Sequence, residues 1–414
     1  LIERLQKQNP NLKIVIGGPE VSFETETSTD CPVISGEGEK KWLEYLQIIE
    51  QGEVPSKEVL DRWKTYGSDL PDLKPAYIEE DYSQLKNRIV YFETSRGCPY
   101  LCSFCLSALD KSVRYFDDEQ IYNQIKNLLN AGVKKLKFVD RTFNLKPSRM
   151  KTLMEWLSQF IGSEFHFEVV GDILTPDILR FLETVPPGMF QFEIGIQTID
   201  ESVQESIDRK QNNQKLFDTI KTLLVQDRIH FHCDLIFGLP GENMEKILNS
   251  FKEVLSLRPH ELQLGFLKFL PGAPIKNTIH SHKYEYQSTP PYELISNKDL
   301  SAEEVDYLKK FADIFDRFYN SKRFRFCITH ILKNMDPVTL FDRLLNYHES
   351  NNLFMNPIAL DTQYEIFQQT FFANPSGEEK DLLKLDYLYS QRAYRLPAFL
   401  SEKSIFSGKT WKQD

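Results

Sequence analysis

The sequence lacks the features that mark membrane-spanning and secreted chains. No uncharged apolar run approaches the ~20 residues that cross a bilayer, and no basic segment precedes an apolar stretch as in a secretory signal. The 414 residues include only six cysteines, too few for a disulfide scaffold, so we expect a reducing, cytoplasmic location and no membrane partner. Lys and Arg number 50 against 60 Asp and Glu, and this net charge of −10 makes nucleic acid an unlikely partner.

The apolar content and its pattern predict an α/β protein with four regions. Apolar residues make up 41% of the chain, which is enough for buried cores. Residues 1–55 alternate short strands and helices like half of a Rossmann-like, doubly wound domain, and residues 56–85 are predicted to be a linker. Residues 86–285 alternate strands with helices, and residues 286–414 predict a mostly helical domain.

The first region carries two strand patterns that each end in glycines, followed by a helix. The helix is predicted over 39–50, with Trp42, Leu43, Leu46 and Ile49 on its buried stripe. There is no initiator Met, and the first five residues resemble the interior of a helix, so we expect further residues before Leu1.

Six strands alternate with five helices in the third region. The predicted strands cover 89–95, 133–139, 165–170, 190–198, 229–237 and 261–269. The predicted helices cover 118–131, 147–161, 175–184, 213–226 and 242–256. This alternation indicates parallel pairing with right-handed crossovers, and it fits either an open sheet or a curved, incomplete barrel.

Three of these strands have a polar second face. Glu168, Glu193 and Asp234 each stand between apolar neighbours, and His230 and His232 share the face of Asp234. Central strands of an ordinary α/β sheet are apolar on both faces, so this polar face favours a barrel whose lumen holds a ligand. Ordinary hydrogen-bonded polar residues at strand ends are the alternative.

The sharpest motif is Cys98-Pro-Tyr-Leu-Cys102-Ser-Phe-Cys105, directly after the first of the six strands. Three thiolates at this spacing can bind three irons of an iron–sulfur cube and leave the fourth iron open to a small ligand. A zinc site or a chance cluster is the alternative, but no fourth zinc ligand follows at a familiar spacing.

This cysteine loop, with an aromatic residue before its last cysteine, resembles that of the radical S-adenosylmethionine (SAM) superfamily. The resemblance runs over roughly 86–275. Gly195-Ile196-Gln197-Thr198 is similar to a fourth-strand element that meets the cofactor, and 236–242 is similar to a Gly-Leu-Pro-Gly-Glu turn after the fifth strand. The resemblance implies a partial (β/α)6 barrel.

The same resemblance implies a chemistry. Cys98, Cys102 and Cys105 are expected to hold a 4Fe-4S cluster whose open iron chelates SAM, and reductive cleavage would yield a 5′-deoxyadenosyl radical. The electron would come from a donor such as flavodoxin or ferredoxin. The substrate is expected to be a small molecule or a peptide, and no further catalytic residue is assigned.

Six residues are expected to bind SAM. Asp140 stands where many relatives carry Gly-Gly-Glu, and Arg209 resembles an arginine that pairs with the cofactor carboxylate. The full set is Phe104, Asp140, Glu168, Glu193, Gln197 and Arg209.

The first region resembles the second half of the cobalamin-binding domain that precedes many such barrels. Four residues are expected to approach the corrinoid: Gly17, Gly18, Gly36 and Glu37. The first half of that domain, with its Asp-x-His-x-x-Gly motif, is not in this chain. The C-terminal region resembles an uncharacterised domain found after such barrels.

Together these resemblances predict a cobalamin-associated radical SAM enzyme that methylates an unactivated carbon. One alternative is a radical SAM rearrangement, cyclisation or oxidation without methyl transfer. The other is a non-catalytic cluster or corrinoid sensor.

Overall fold

The structure is a computed structural model, and it describes residues 1–23, 31–64, 76–355, 357–391 and 396–401. Within these ranges no helix is both long and apolar enough to cross a bilayer.

The N-terminal unit is a small parallel sheet flanked by helices. Its elements are α1 Ile2–Gln8, β1 Ile16–Gly17, α2 Pro19–Ser22, β2 Val33–Ile34, α3 Glu39–Glu50 and α4 Lys57–Lys64. Strand β1 pairs in parallel with β2, and the buried core of the unit is formed by Ile34, Tyr45 and Trp63.

Two expectations for this unit need correction. Helix α4 lies inside the predicted linker, where Trp63 is fully buried and donates a 2.7 Å hydrogen bond from Nε1 to Glu44, so this stretch is folded onto the unit. The predicted apolar stripe of α3 is also largely exposed, and of its four residues only Ile49 packs against the core of the unit. Trp42 and Leu43 are 45% and 56% exposed, while Tyr45 is buried with its ring 6.0 Å from that of Trp63. The tertiary partner Trp63, which helical spacing does not reveal, selects the buried face of α3.

The central region is a curved sheet of six parallel strands. Its elements are α5 Tyr82–Leu85, β3 Ile89–Phe92, β4 Ser95–Arg96, β5 Arg114–Tyr115, α6 Asp118–Asn130, β6 Lys135–Phe138, α7 Pro147–Leu157, β7 Glu164–Val169, α8 Pro176–Leu182, β8 Phe190–Gln197, α9 Glu201–Ser206, α10 Asn213–Gln226, β9 His230–Phe237, α11 Met244–Ser256 and β10 Glu261–Phe266. The strand order is β3-β6-β7-β8-β9-β10 and all five pairings are parallel. The predicted strands and helices are therefore confirmed, and the two end strands leave the barrel incomplete.

The strands bury one face under the helices and turn the other inward. In β8, Phe190, Phe192, Ile194 and Ile196 are all fully buried, and the polar residues between them are half-buried. Strands β7 and β9 alternate in the same way. The apolar face is closed by the helices, so the half-buried polar face lines the lumen as the sequence predicts.

The C-terminal region is mostly helical and packs on the barrel. Its elements are α12 Ile279–His282, β11 Glu285–Tyr286, β12 Leu294–Ser296, α13 Ala302–Phe315, α14 Arg325–Ile331, α15 Pro337–Ser350, α16 Leu360–Phe371 and α17 Gly377–Gln391. Phe251 of α11 packs edge-on against Phe311 and Phe315, with ring centroids 5.0 and 5.3 Å apart. These aromatic contacts join the two regions through one continuous core.

A side chain from the C-terminal region also forms hydrogen bonds to the backbone of β10, the last strand of the sheet. Asn320 follows α13 in a π-helical turn, Asp316–Asn320. Its Oδ1 accepts from Leu262 N at 3.1 Å, and its Nδ2 donates to Leu262 O at 2.9 Å. The amide thus pairs both backbone groups of a residue on the edge strand β10.

Candidate functional site

The cysteine motif lies on a loop that is held at its base by a short hairpin. Strands β4 and β5 pair antiparallel on either side of the loop, and Cys98 N donates to Asp110 O at 3.1 Å. Gly97 has φ +89, and a Cβ there would meet Ser112 O at 1.9 Å. Only glycine fits this close backbone approach, so the sequence fixes the loop just before its first cysteine.

The three cysteines line one open cleft at the carboxyl ends of the strands. The cleft encloses about 820 Å³, including space open to solvent. Fourteen other residues line it with them, and five of these were expected at the site: Phe104, Glu168, Glu193, Gln197 and Arg209. All six cysteines of the chain are free thiols, so nothing blocks the three from binding metal.

Gln197 enters the cleft through an irregularity in β8. The register with β9 shifts between Gly195 and Gln197, and Gln197 has φ +68. A Cβ on Gly195 would meet Gln197 Nε2 at 2.4 Å, so the glycine leaves room for this side chain. Gln197 Oε1 is buried and has no hydrogen-bond partner within the protein. A bulge that turns an unsatisfied acceptor into a cleft is typical of a ligand contact.

Arg209 is held beside the second cysteine. Its guanidinium donates to Gly195 O and to Cys102 Sγ, the latter at 3.8 Å, and its Nε donates to Gln211 Oε1 at 3.0 Å. Burial raises the pKa of the Cys102 thiol, and the Arg209 charge opposes that rise. A fixed cation at this position suits a carboxylate that binds next to the cysteines.

Asp140 does not reach the cleft, contrary to expectation. The side chain is 1% exposed and accepts hydrogen bonds from Thr94 N at 2.9 Å, from the Thr94 hydroxyl at 2.6 Å and from the Ser95 hydroxyl at 2.5 Å. Burial raises its pKa, and these donors oppose the rise. Its carboxylate is already satisfied and ties β6 to the start of the cysteine loop.

The segment after β6 instead presents Arg141 and Thr142 to the cleft. Thr142 Oγ1 lies 3.5 Å from Cys98 Sγ. Sequence reasoning named the segment correctly but chose the wrong residue, because it could not show that Thr94 and Ser95 bind Asp140. Tyr100, Lys210 and the carboxylate of Asp234 also line the cleft, and only the polar alternation of β9 pointed to Asp234 beforehand.

Glu193 lies deeper in the lumen, within a network of charged groups. Its Oε2 lies 3.1 Å from Lys137 Nζ, 3.0 Å from His166 Nε2 and 3.5 Å from His232 Nε2. Hydrogen bonds from His166 and His232 hold the pKa of Glu193 well below its usual range. Burial alone would lower the pKa of His232, but Glu193 and Asp234 outweigh it and raise that pKa.

A second, wider cavity lies between the N-terminal unit and the barrel. It encloses about 1070 Å³, and Gly18, Gly36 and Glu37 line it from the N-terminal side, whereas Gly17 is not among its lining residues. Ser107 and Arg141 line both this cavity and the cysteine cleft. The two spaces are thus separated by little more than the cysteine loop.

An ion-pair network joins the N-terminal unit to this loop. Arg114 pairs with Glu37 at 2.6 Å and with Asp110 at 2.6 Å. Arg96 pairs with Glu39 at 2.6 Å and lies 3.4 Å from Glu37. Sequence analysis missed these arginines, and they engage the Glu37 carboxylate that was expected to approach a corrinoid.

The fold and the cleft define a class: an incomplete parallel barrel with a three-cysteine metal loop at the carboxyl ends of its strands. Residues 92–254 match the model of the radical SAM superfamily, and residues 280–413 match a protein of unknown function (DUF4080). The central part of the chain, residues 92–254, is therefore similar to the radical SAM superfamily.

Curated relatives match over much of the chain at low identity. A cobalamin-dependent radical SAM methyltransferase, TokK, of Streptomyces tokunonensis is 26% identical over 69% of this chain and 47% of its own length. The 2-(S-pantetheinyl)-carbapenam-3-carboxylate methyltransferase of Streptantibioticus cattleyicolor is 24% identical over 74% of this chain and 50% of its own. The chain therefore spans about half the length of these relatives.

Solved structures share the fold. The cobalamin-dependent S-adenosylmethionine radical enzyme OxsB, with aqua-cobalamin and SAM bound, gives a TM-score of 0.57 at 14% identity and covers 94% of this chain and 64% of its own. The radical SAM methyltransferase TsrM from Kitasatospora setae gives a TM-score of 0.50 at 14% identity over 63% of this chain and 57% of its own. At this identity the likeness concerns the fold alone.

Proposed function

We propose that this chain is a cobalamin-associated radical SAM enzyme that methylates an unactivated carbon of a small-molecule or peptide substrate. The observation that carries the proposal is the convergence of Cys98, Cys102 and Cys105 on one cleft with Arg209 and Gln197. The two curated relatives named above are methyltransferases, and TokK is a cobalamin-dependent radical SAM methyltransferase, which supports the methylation step.

The residues present fit a 4Fe-4S cluster with SAM on its open iron. The three free thiols face one space, Arg209 offers a cation for the methionine carboxylate, and the unpartnered Gln197 Oε1 offers an acceptor for its amino group. Phe104 supplies an aromatic face for the adenine, and Glu168 an acceptor for the ribose. When bound, the reduced cluster supplies the electron that cleaves SAM.

The lower part of the barrel would receive the substrate. Burial raises the pKa of Glu168, and Arg141, 3.9 Å away, opposes that rise. The parallel strands and the C-terminal region enclose the lumen on several sides, which limits the access of water to a reactive intermediate.

The second cavity supports a place for cobalamin. Gly18 and Gly36 adopt positive φ, and no atom lies within 4 Å of a Cβ built on Gly18, so a flat ligand can approach the backbone there. The shared Ser107 and Arg141 put this cavity next to the cysteine cleft. When bound, cobalamin supplies the methyl group for transfer.

The proposal includes a reductant and a location. Flavodoxin or ferredoxin would deliver the electron, and a reducing cytoplasm would keep the three thiols available for iron. Free cysteines throughout the chain and the scarcity of cysteine overall support that location.

The test replaces all three loop cysteines by alanine. We expect anaerobically reconstituted wild-type chain, once reduced, to bind about four irons and to form 5′-deoxyadenosine from SAM. The triple variant should lose both, because no other described group of cysteines lies at the cleft. Iron content and product by chromatography are the two measurements.

A Cys31→Ala variant is the matched control, because Cys31 belongs to the N-terminal unit and does not line the cysteine cleft. The proposal is wrong if the triple variant keeps its iron and its SAM cleavage. Cleavage by the wild type without any methylated product would favour rearrangement, cyclisation or oxidation. Cluster binding without cleavage would favour a sensor.

A further inference from the structure

Three lumen side chains meet below the cysteine cleft in an arrangement that the proposed function does not use. His166 of β7, Glu193 of β8 and His232 of β9 each offer one ligand atom, and these atoms all lie within 4.8 Å of one another. Glu193 and His232 are direct register partners across β8 and β9. Glu193 precedes Gln197 by four residues, so the group lies about 13 Å down the strand from the rim.

Two imidazoles and one carboxylate are a donor set for divalent transition metals. Zinc and ferrous iron bind such ligands at about 2.1 Å, which puts neighbouring ligand atoms about 3 Å apart. Glu193 Oε2 already lies 3.0 Å from His166 Nε2 and 3.5 Å from His232 Nε2.

A fourth side chain that could bind a metal, the acidic Asp234, lies beside these three residues. Asp234 Oδ1 is buried without a hydrogen-bond partner and lies 4.0 Å from His232 Nε2. An isolated buried carboxylate is costly, and a metal ion is one of the partners that removes this cost.

Among the described residues, Lys137 is the cation of a Lys or Arg side chain that touches this group. The carboxylates of Glu168, Glu193 and Asp234 line the cleft together with Arg141, Arg209 and Lys210, and these three cations form no ion pair with Glu193 or Asp234. Arg141 approaches Glu168 only at 3.9 Å and is 57% exposed. Lys137 contacts one oxygen of Glu193 and is 29% exposed, so its long side chain can move to the other oxygen and leave Oε2 to a metal.

We propose that His166, Glu193 and His232, with Asp234 as a fourth ligand, bind one divalent transition-metal ion of the zinc or ferrous class, separate from the iron–sulfur cluster. Glu193 then serves this metal and not SAM. Because Glu193 and Asp234 also line the cleft, an ion held here is within reach of a substrate oxygen that enters the lumen. Metal binding itself does not depend on the proposed function.

The test uses Co²⁺ and Zn²⁺ with the full chain in which Cys98, Cys102 and Cys105 are alanine, so that loop thiolates cannot bind the probe. We expect one Co²⁺ per chain, with a visible absorption band typical of nitrogen and oxygen ligands, and displacement by Zn²⁺. His166→Ala and His232→Ala should each weaken binding roughly a hundredfold in calorimetric titration.

His230→Ala is the matched control. His230 precedes His232 by two residues on the same strand, but its Nε2 lies 3.3 Å from Glu261 and its side chain is outside the metal group. Cobalt binding should stay unchanged in this variant. Equal loss in His230→Ala and His232→Ala would overturn the proposal, as would full binding in either ligand variant.

A variant that gains metal affinity distinguishes a true ligand effect from a loss of affinity caused by misfolding. Lys137→Met removes the cation that competes for Glu193 and should tighten Co²⁺ binding by roughly tenfold. A misfolded variant cannot bind more tightly, so no gain in a folded Lys137→Met protein would contradict the proposal. All these measurements use a chain without the cluster cysteines. Their outcome is therefore independent of whether the wild type cleaves SAM.

Discussion

Two carboxylates inside the barrel differ in how fully the protein satisfies their hydrogen bonding. At the end of β6, Asp140 accepts three hydrogen bonds from Thr94 and Ser95 and is closed off from the cleft. On β9, the half-buried Asp234 lines the cleft, and its buried Oδ1 has no hydrogen-bond partner within the protein. The first arrangement stabilises the fold, whereas the second leaves an acceptor for something that the chain itself does not supply.

The largest expected effect of this difference is on stability. Asp140→Ala should lower the free energy of unfolding by about 3 kcal/mol, because it leaves one buried amide and two hydroxyls without their acceptor. Asp234→Ala should instead raise it by about 1 kcal/mol or more, because it removes a carboxylate whose buried Oδ1 has no hydrogen-bond partner. Urea unfolding of the full chain measures both. Equal losses would erase the distinction between the two carboxylates.

A second, smaller effect concerns SAM. Gln197→Ala removes an acceptor that faces the cleft, so affinity for SAM should fall about tenfold, or roughly 1.4 kcal/mol, with little change in stability. Equilibrium dialysis of the reconstituted protein measures the affinity. Gln191→Ala is the control, because Gln191 lies on the same face of β8 but does not line the cleft. A comparable loss in both variants would count against a direct contact by Gln197.

The smallest expected effect concerns a third carboxyl group, that of Glu242, which accepts hydrogen bonds from backbone amides. Glu242 accepts from Gly238 N at 3.1 Å and from Leu239 N at 3.3 Å, and burial raises its pKa to about 8. The folded chain thus binds this proton more tightly than the unfolded chain, and stability falls as pH rises from about 5 to 8. Glutamine keeps the acceptor without the charge.

The free energy of unfolding of Glu242→Gln, relative to that of the wild type, should therefore rise by about 1 kcal/mol between pH 7 and pH 8. Urea unfolding of both proteins at the two pH values gives this difference, and effects of other titrating groups cancel in it. A difference that is constant across this pH range would mean that Glu242 is ionised in the folded chain.

Local sequence pattern was enough for the elements of the barrel. The alternation of Phe190, Phe192 and Ile194 with polar residues marks both the strand and its two faces, and no distant information is needed to see it. Helix caps are also made by residues adjacent in sequence: Asp117 accepts from Gln120 N, and Ser301 forms a capping box with Glu304.

Contacts between residues far apart in the sequence limit what can be predicted from local pattern. Asp140 meets Thr94 from 46 positions away, so its burial could not be read from the motif in which it stands. Trp63 selects the buried face of α3 from the far side of a turn. The meeting of His166, Glu193 and His232 depends on strand register as well as on the polar face, and the sequence indicated only the face.

The amide of Asn320 has a practical consequence for anyone dividing this chain into domains. It occupies the free hydrogen-bonding groups at Leu262 on the outermost strand, so a barrel expressed without the helical region would present that edge to neighbouring molecules. An uncovered strand edge is a template for intermolecular pairing. We therefore expect a barrel without the helical region to self-associate more readily than the longer chain.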